Sequence, residues 1–409
     1  MKIFEFFDGK FNLNITGVSF LVFSVLVIAA VGYLLGRVTI KGVNLGTAGV
    51  FLIALLFGCL FYENLEAQTP MYTTEALKII ENIGLMLFVT SVGFIAGPKF
   101  FGNLKKNFKT YILLGLLIIV SGALVCAGCI VFAKLTMKDI PTEELTAIMT
   151  GLFSGALTST PAFSAAKEAI GNNYASYVAV GNGIAYIFGV IGVVLFVQLV
   201  PKFVKADMEN ERKMLAESDG NAEDPVDTNT DKKLITIDSF GIAPFALAAI
   251  VGLLIGSIKI GSFSLTTTGG YLLISLVFGH FGRIGKINLM PPAATLKVFR
   301  EFGLMLFLIG AGIAGGAKFI ECFQPVYFLY GALMTIIPMI VGFFFAKYVL
   351  KLSLLNNLGS ITGGMTSTPA LGTLINVSGT EDVTAAYAAT YPIALVAIVL
   401  ASQFLIIIF

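Results

Sequence analysis

Of 409 residues, 57% are hydrophobic and only 12% are charged, about half the charged share of an ordinary soluble domain. With a mean hydropathy of +0.91, such a chain cannot cover its surface with charge, and a bilayer is the solvent that removes the need. A net charge of only +2, with no basic patch, excludes a nucleic-acid partner.

Taken along the chain, the N-terminal MKIFEFFDGK carries Glu5 and Asp8 and is followed by no small-x-small cleavage site. The first span is therefore expected to be retained. Apolar runs of spanning or near-spanning length follow at residues 15–35, 43–61, 77–97, 110–133 and 175–200. A polar linker, residues 202–234, separates them from a second set at 240–256, 265–281, 298–317, 326–350 and 383–409. Two further segments, 145–171 and 358–377, are interrupted by Gly, Thr, Ser and Pro, which breaks a continuous lipid-facing helix. Cys126 and Cys129 form a CxxC, but on an apolar run with Gly128 between them, so helix packing is expected there, without redox or metal chemistry.

The two sets repeat one another. VGYLLG at 31–36 returns as VGLLIG at 251–256, and GLMLF at 84–88 returns unchanged at 303–307. TSTPA at 158–162 returns at 366–370, each copy preceded by glycines three and seven residues upstream. The smaller offset of this last block predicts extra loop in the first half, around residues 134–144. The chain is thus read as all-α and polytopic: residues 1–201 a first membrane repeat, 202–234 a linker, and 235–409 a second repeat.

Topology follows from Lys and Arg, which collect on the cytoplasmic side. Arg37, Lys41, Lys99, Lys105, Lys106 and Lys109 follow the odd spans of the first half, and Glu63, Glu66 and Glu75 follow the second. Both halves obey the rule with five crossings each, a cytoplasmic linker and both termini outside. Each TSTPA segment is then a re-entrant hairpin; broken full crossings would instead put six spans in each half and the linker outside. Five crossings make the halves antiparallel, the inverted-repeat design of secondary transporters, with the hairpin units moving against the other spans.

TSTPA itself carries chemistry. Thr160 and Thr368 stand where N-caps belong, with Pro161 and Pro369 at the first helical positions. Helices would begin at both tips, with N–H groups and positive dipole ends turned inward, a site for an anion such as a carboxylate. The expected substrate-binding residues are Thr158, Ser159, Thr160, Pro161 and Ala162 at one tip, and Thr366, Ser367, Thr368, Pro369 and Ala370 at the other. Asn182, Tyr186, Thr390 and Tyr391 on the flanking spans complete the set. Gly151, Gly155, Gly359, Gly363 and Gly364 are expected to let the hairpin arms pack closely. Lys167 either meets a substrate carboxylate or pairs with Glu168 at the interface, and Glu81, Arg300 and Glu301 are read as interfacial charges. No cofactor, metal site or catalytic set is expected: P-loop, metal-spaced His/Cys cluster and triad are absent from the sequence.

The duplicated GLMLF, the GxxxGxxTSTPA blocks and AATYPIAL at 388–395 together resemble the aspartate–alanine exchanger family of bacteria. The resemblance implies an inner-membrane secondary transporter, not an enzyme, moving amino acids or dicarboxylates, often by exchange. A cation-coupled organic-acid symporter or exporter, or an anion channel, is the alternative. The expected partners are a small anionic substrate and the bilayer, with a homodimer as one option for the oligomeric state, which the sequence leaves open. Family members commonly carry soluble regulatory domains between the halves, and this linker has room for none. In the first half Tyr186-Ile187 stands where the second has Tyr391-Pro392, so that helix should kink less.

Overall fold

The computed structural model describes residues 15–40, 43–44, 47–68, 72–106, 108–219, 235–260, 263–264, 266–380 and 382–409. They form an all-α polytopic membrane fold. In chain order the first half gives α1 (Val18–Arg37), α2 (Ala48–Gln68), α3 (Thr73–Lys106), α4 (Leu113–Thr136), α5 (Thr142–Ala156), α6 (Thr160–Ile170) and α7 (Ala175–Phe203). After α8 (Met208–Asp219), the same order returns as α9 (Ile242–Gly256), α10 (Thr266–Phe281), α11 (Ala293–Cys322), α12 (Val326–Tyr348), α13 (Leu354–Gly364), α14 (Thr368–Ser378) and α15 (Val383–Ile408). Among the described residues, eight helices are long and apolar enough to cross a membrane. The sequence suggested ten spans. At 15 and 16 residues, α9 and α10 fall short of the ~20 that a perpendicular crossing takes.

Glycine contacts fix the helix directions. A Cβ on Gly84 would overlap the Phe307 amide nitrogen, one on Gly303 would meet the Phe88 amide, and Gly310 lies against Leu77 and Glu81. The two GLMLF blocks therefore cross one another, and α3 runs opposite to α11. Gly122 faces Pro338 while Gly342 faces Ile118, so α4 likewise opposes α12. Gly58 meets Gly316 between α2 and α11, and Gly97 meets Gly279 between α3 and α10. Missing side chains at these points let backbones approach to within van der Waals contact, where lipid-like packing has most to gain.

Packing divides the helices into two units. In one, α3 and α2 lie on α11, α10 on α3 and α9, and α1 on α2. In the other, α5 lies on α7, α13 on α15, α12 on α4 and α7, and α15 on α4 and α6. The units meet chiefly where α7 lies on α11 and α6 on α10.

Two sequence expectations change here. The loops between α4 and α5 (137–141) and between α12 and α13 (349–353) are equally long, so the extra residues of the first half lengthen helices and not the loop. The first part of the linker is not simply solvated. Helix α8 docks beneath the second TSTPA segment, where the Glu211 carboxylate accepts the Leu354 amide at 2.9 Å and Arg212 donates to the Ser378 carbonyl at 2.9 Å. Leu215 is buried there among Val197, Leu355, Leu358, Leu374 and Val383. Residues 220–234 of the linker lie outside the described residues.

Candidate functional site

Each TSTPA segment is a pair of short helices, 15 and 11 residues in the first half and 11 and 11 in the second. At 1.5 Å per residue none exceeds about 23 Å, so none spans alone. Gly151 faces Val178 and Gly155 faces Asn182 and Tyr186, so α5 and α7 run parallel. Gly359 faces Val383 and Gly363 faces Tyr387, so α13 and α15 run parallel too. Helix α6 must therefore carry the chain back towards the side from which α5 came, and α14 does the same for α13. The glycines expected between hairpin arms serve a different contact: they seat each ingoing arm on the flanking span. Gly364 packs on Ile118 of α4.

The two tips meet. Thr158 Oγ1 donates to the Met365 carbonyl at 3.0 Å, and Thr366 Oγ1 donates to the Leu157 carbonyl at 2.8 Å. This reciprocal clasp ties equivalent residues of the two halves. Both threonines hold left-handed backbone, φ 55° and 52°, a conformation that costs a β-branched residue of order 1 kcal/mol or more. The clasp and the Thr158 and Thr366 amides, bonded to the Gly155 and Gly363 carbonyls, hold it.

The caps sit one residue earlier than the sequence suggested. Because Thr158 and Thr366 turn left-handed, extended backbone falls at Ser159 and Ser367, which become the N-caps and leave Thr160 and Thr368 already helical. Proline then occupies the second helical position. Ser159 Oγ accepts the Ala162 amide at 3.3 Å. Ser367 makes no such bond, and its fully buried hydroxyl has no hydrogen-bond partner. Ala162 and Ala370 are fully buried behind the tips, Pro161 is buried and Pro369 only partly so. The Thr368 side chain lies outside the described residues. These caps predict that Ser159→Ala lowers thermal stability by ~1 kcal/mol. Thr160→Ala should cost less, and Ser367→Ala should leave the melting temperature nearly unchanged, since no cap bond is lost.

Of the flanking polar residues, Asn182 is tied to the first hairpin by a side-chain bond. It is buried on α7, and its Oδ1 accepts from Ser154 of α5 at 3.0 Å. Tyr387 is its counterpart, since Gly363 faces Tyr387 as Gly155 faces Asn182, and the Thr390 hydroxyl donates to the Ala386 carbonyl of its own helix. Tyr391 is half-buried and stacks on Tyr387 at 5.2 Å, and Tyr186 is also half-buried.

Lys167 and Glu168 do not pair with each other. Lys167, 8% exposed, reaches Glu81 of α3, 15% exposed, at 2.5 Å. Glu168 accepts from the Thr267 hydroxyl and from the Thr268 amide at the N-terminus of α10, where the helix dipole favours a carboxylate. Ser164 and Thr268 share a hydrogen bond of 2.8 Å. Glu81 is thus not merely interfacial. A signal for it existed in the sequence: opposite charges in two apolar segments of one half, at positions where the second half has Arg300 and Ile375. Among the described residues no His/Cys/Asp/Glu cluster could hold a metal.

Residues 24–202 and 244–407 match the aspartate–alanine exchanger-type family described as "Predicted Permease Membrane Region". The chain belongs to that permease family. An uncharacterized transporter of Bacteroides thetaiotaomicron is 27% identical over 93% of this chain and 97% of its own length. One of Rhodopirellula baltica is 25% identical over 93% and 98%. A putative transport protein of Klebsiella pneumoniae is 23% identical over 93% and 97%. The first of these alignments extends over 543 positions against a chain of 409, so that permease carries well over a hundred residues that this one lacks. The family match pauses between 202 and 244, where the linker lies. This permease is therefore a membrane transporter in a short form.

Proposed function

We propose that this permease is a secondary active transporter of small carboxylates such as amino acids or dicarboxylates, working by exchange. Its substrate would sit where the two TSTPA tips meet, between inverted halves. The observation that carries the reading is the reciprocal clasp, which brings the N-termini of α6 and α14 to one place. Two positive dipole ends and a buried, unpartnered Ser367 hydroxyl suit a carboxylate. Asn182, buried and bonded to Ser154, is a candidate for orienting it. Thr158 and Thr366 build the tips and do not contact the substrate, because their hydroxyls are spent on the clasp.

In thermal-shift measurements on the purified protein, one of aspartate, glutamate, alanine or succinate should stabilise the permease, and its methyl ester should not. Stabilisation by cations or neutral sugars alone would refute the dipole argument. Positive charge on the linker side supports a cytoplasmic linker with both termini outside the bacterial inner membrane. Ser218→Cys should accordingly react with an impermeant maleimide in inverted vesicles and stay unlabelled in intact cells. Labelling in intact cells would reverse that topology.

A further inference from the structure

The two hairpins are equivalent in sequence but not in their surroundings. All of α6 from Pro161 to Lys167 is buried, whereas on α14 Gly372 and Asn376 are exposed and Pro369, Leu371 and Ile375 only half-buried. By offset, Gly372 matches Ser164, Ile375 matches Lys167 and Asn376 matches Glu168. On α6 those positions are bonded to the other unit: Ser164 to Thr268, Lys167 to Glu81, and Glu168 to Thr267 and Thr268. Phe163 adds edge contacts to Phe51 at 5.8 Å and Phe307 at 5.4 Å. A Cβ on Gly372 would meet nothing within 4 Å. Helix α14 approaches Val43–Asn44, the strand before α2, where α6 lies directly on α10. A cavity of about 510 Å³ opens beside the end of α14, lined by Gln198, Lys202, Lys205, Met208 and Val377.

We infer that the α6 contacts form a latch closing the first hairpin against the α1–α3/α9–α11 unit, that this structure is the state open on the linker side, and that the opposite state forms by exchanging the two environments. In that state α14 slides from Val43–Asn44 onto the first turn of α2, bringing Asn376 to Thr47, the counterpart of Thr268. Helix α6 leaves α10 and moves towards Phe263–Ser264, the counterpart of Val43–Asn44. The first-half latch is ionic, whereas the second-half surface offers Ile375 and Asn376. The two closed states are therefore held by different chemistry, and the linker-side-open one is the more sensitive to salt. Helix α8, through Glu211 and Arg212, holds the ends of the second hairpin together as it moves.

The inference rests on the reading as a secondary active transporter but not on the carboxylate, and its test uses no substrate. In protein whose four cysteines are replaced, Ser164→Cys with Thr268→Cys and Thr47→Cys with Asn376→Cys should each cross-link under mild oxidant. Locking the first pair should abolish the second cross-link. Glu168→Gln should speed the second several-fold and lower maleimide labelling of Gly372→Cys, a readout that a purely structural Glu168 would not move. A monodisperse protein in which Thr47→Cys and Asn376→Cys never join would overturn the exchange. So would joining that persists in the locked protein, labelling of Gly372→Cys unchanged by Glu168→Gln, or a cross-link from Gly372→Cys to a second copy.

Discussion

Replacing Lys167 by Met is expected to destabilise the folded permease by roughly 3–5 kcal/mol, because it strands a buried carboxylate. Lys167 is 8% exposed and Glu81 15%, and their atoms stand 2.5 Å apart. Taking such a pair out of water costs several kcal/mol per ion, and the mutual attraction offsets that cost only while both partners are present. The double variant Lys167→Met/Glu81→Gln removes both charges and should recover most of the loss. Melting curves of the singles and the double, compared as a cycle, give the coupling directly. A Lys167→Met protein that melts like the parent would return both residues to an interfacial role.

The second large effect is expected at the clasp. Thr158→Val keeps the shape and the branched Cβ but removes the donor to Met365, and Thr366→Val does the same to Leu157. Met365 and Leu157 are both fully buried. Each variant leaves a carbonyl short of its partner, at about 1–3 kcal/mol. The two bonds are reciprocal, so losing one misplaces the other, and the double variant should cost less than the two singles added together. Transport should suffer more than stability, because the clasp sets how the two helix ends face each other. Thr158→Ser and Thr366→Ser, which keep the hydroxyl, should retain most activity. If the Val variants transport like the parent while Ser367→Ala and Asn182→Ala do not, the tips are held by packing and the clasp is incidental.

Much of the fold was legible in the chain, for physical reasons. Spans announce themselves because the bilayer demands long apolar runs, and the repeats survive because both halves meet the same packing demands at GLMLF and TSTPA. The tips as a meeting point followed from their being the broken segments of each half. The cap positions were not legible. Ser and Thr both cap well, and the choice turned on the left-handed backbone at Thr158 and Thr366, which local propensity opposes. The partner of Lys167 was legible only as an opposite charge in another apolar segment of the same half, because Glu81 lies on a helix 86 positions away in the chain. Helix α8 was hidden by composition, because Leu215 alone carries much of its docking in an otherwise polar stretch. The short α9 and α10 read as spans because their apolar runs, 240–256 and 265–281, are unbroken by charge, although these runs scarcely exceed the helices themselves.

Exchange through the paired tips is tested most directly by counterflow. Purified permease is reconstituted into vesicles preloaded with aspartate, alanine, glutamate or succinate, and uptake of the same labelled compound is followed. With at least one of them, internal substrate should accelerate uptake of external label. Ser367→Ala, stable as the parent, should need a higher external concentration for the same rate. Uptake that never responds to internal substrate would contradict exchange, and a flux that also fails to saturate would make these helix ends the lining of an anion channel.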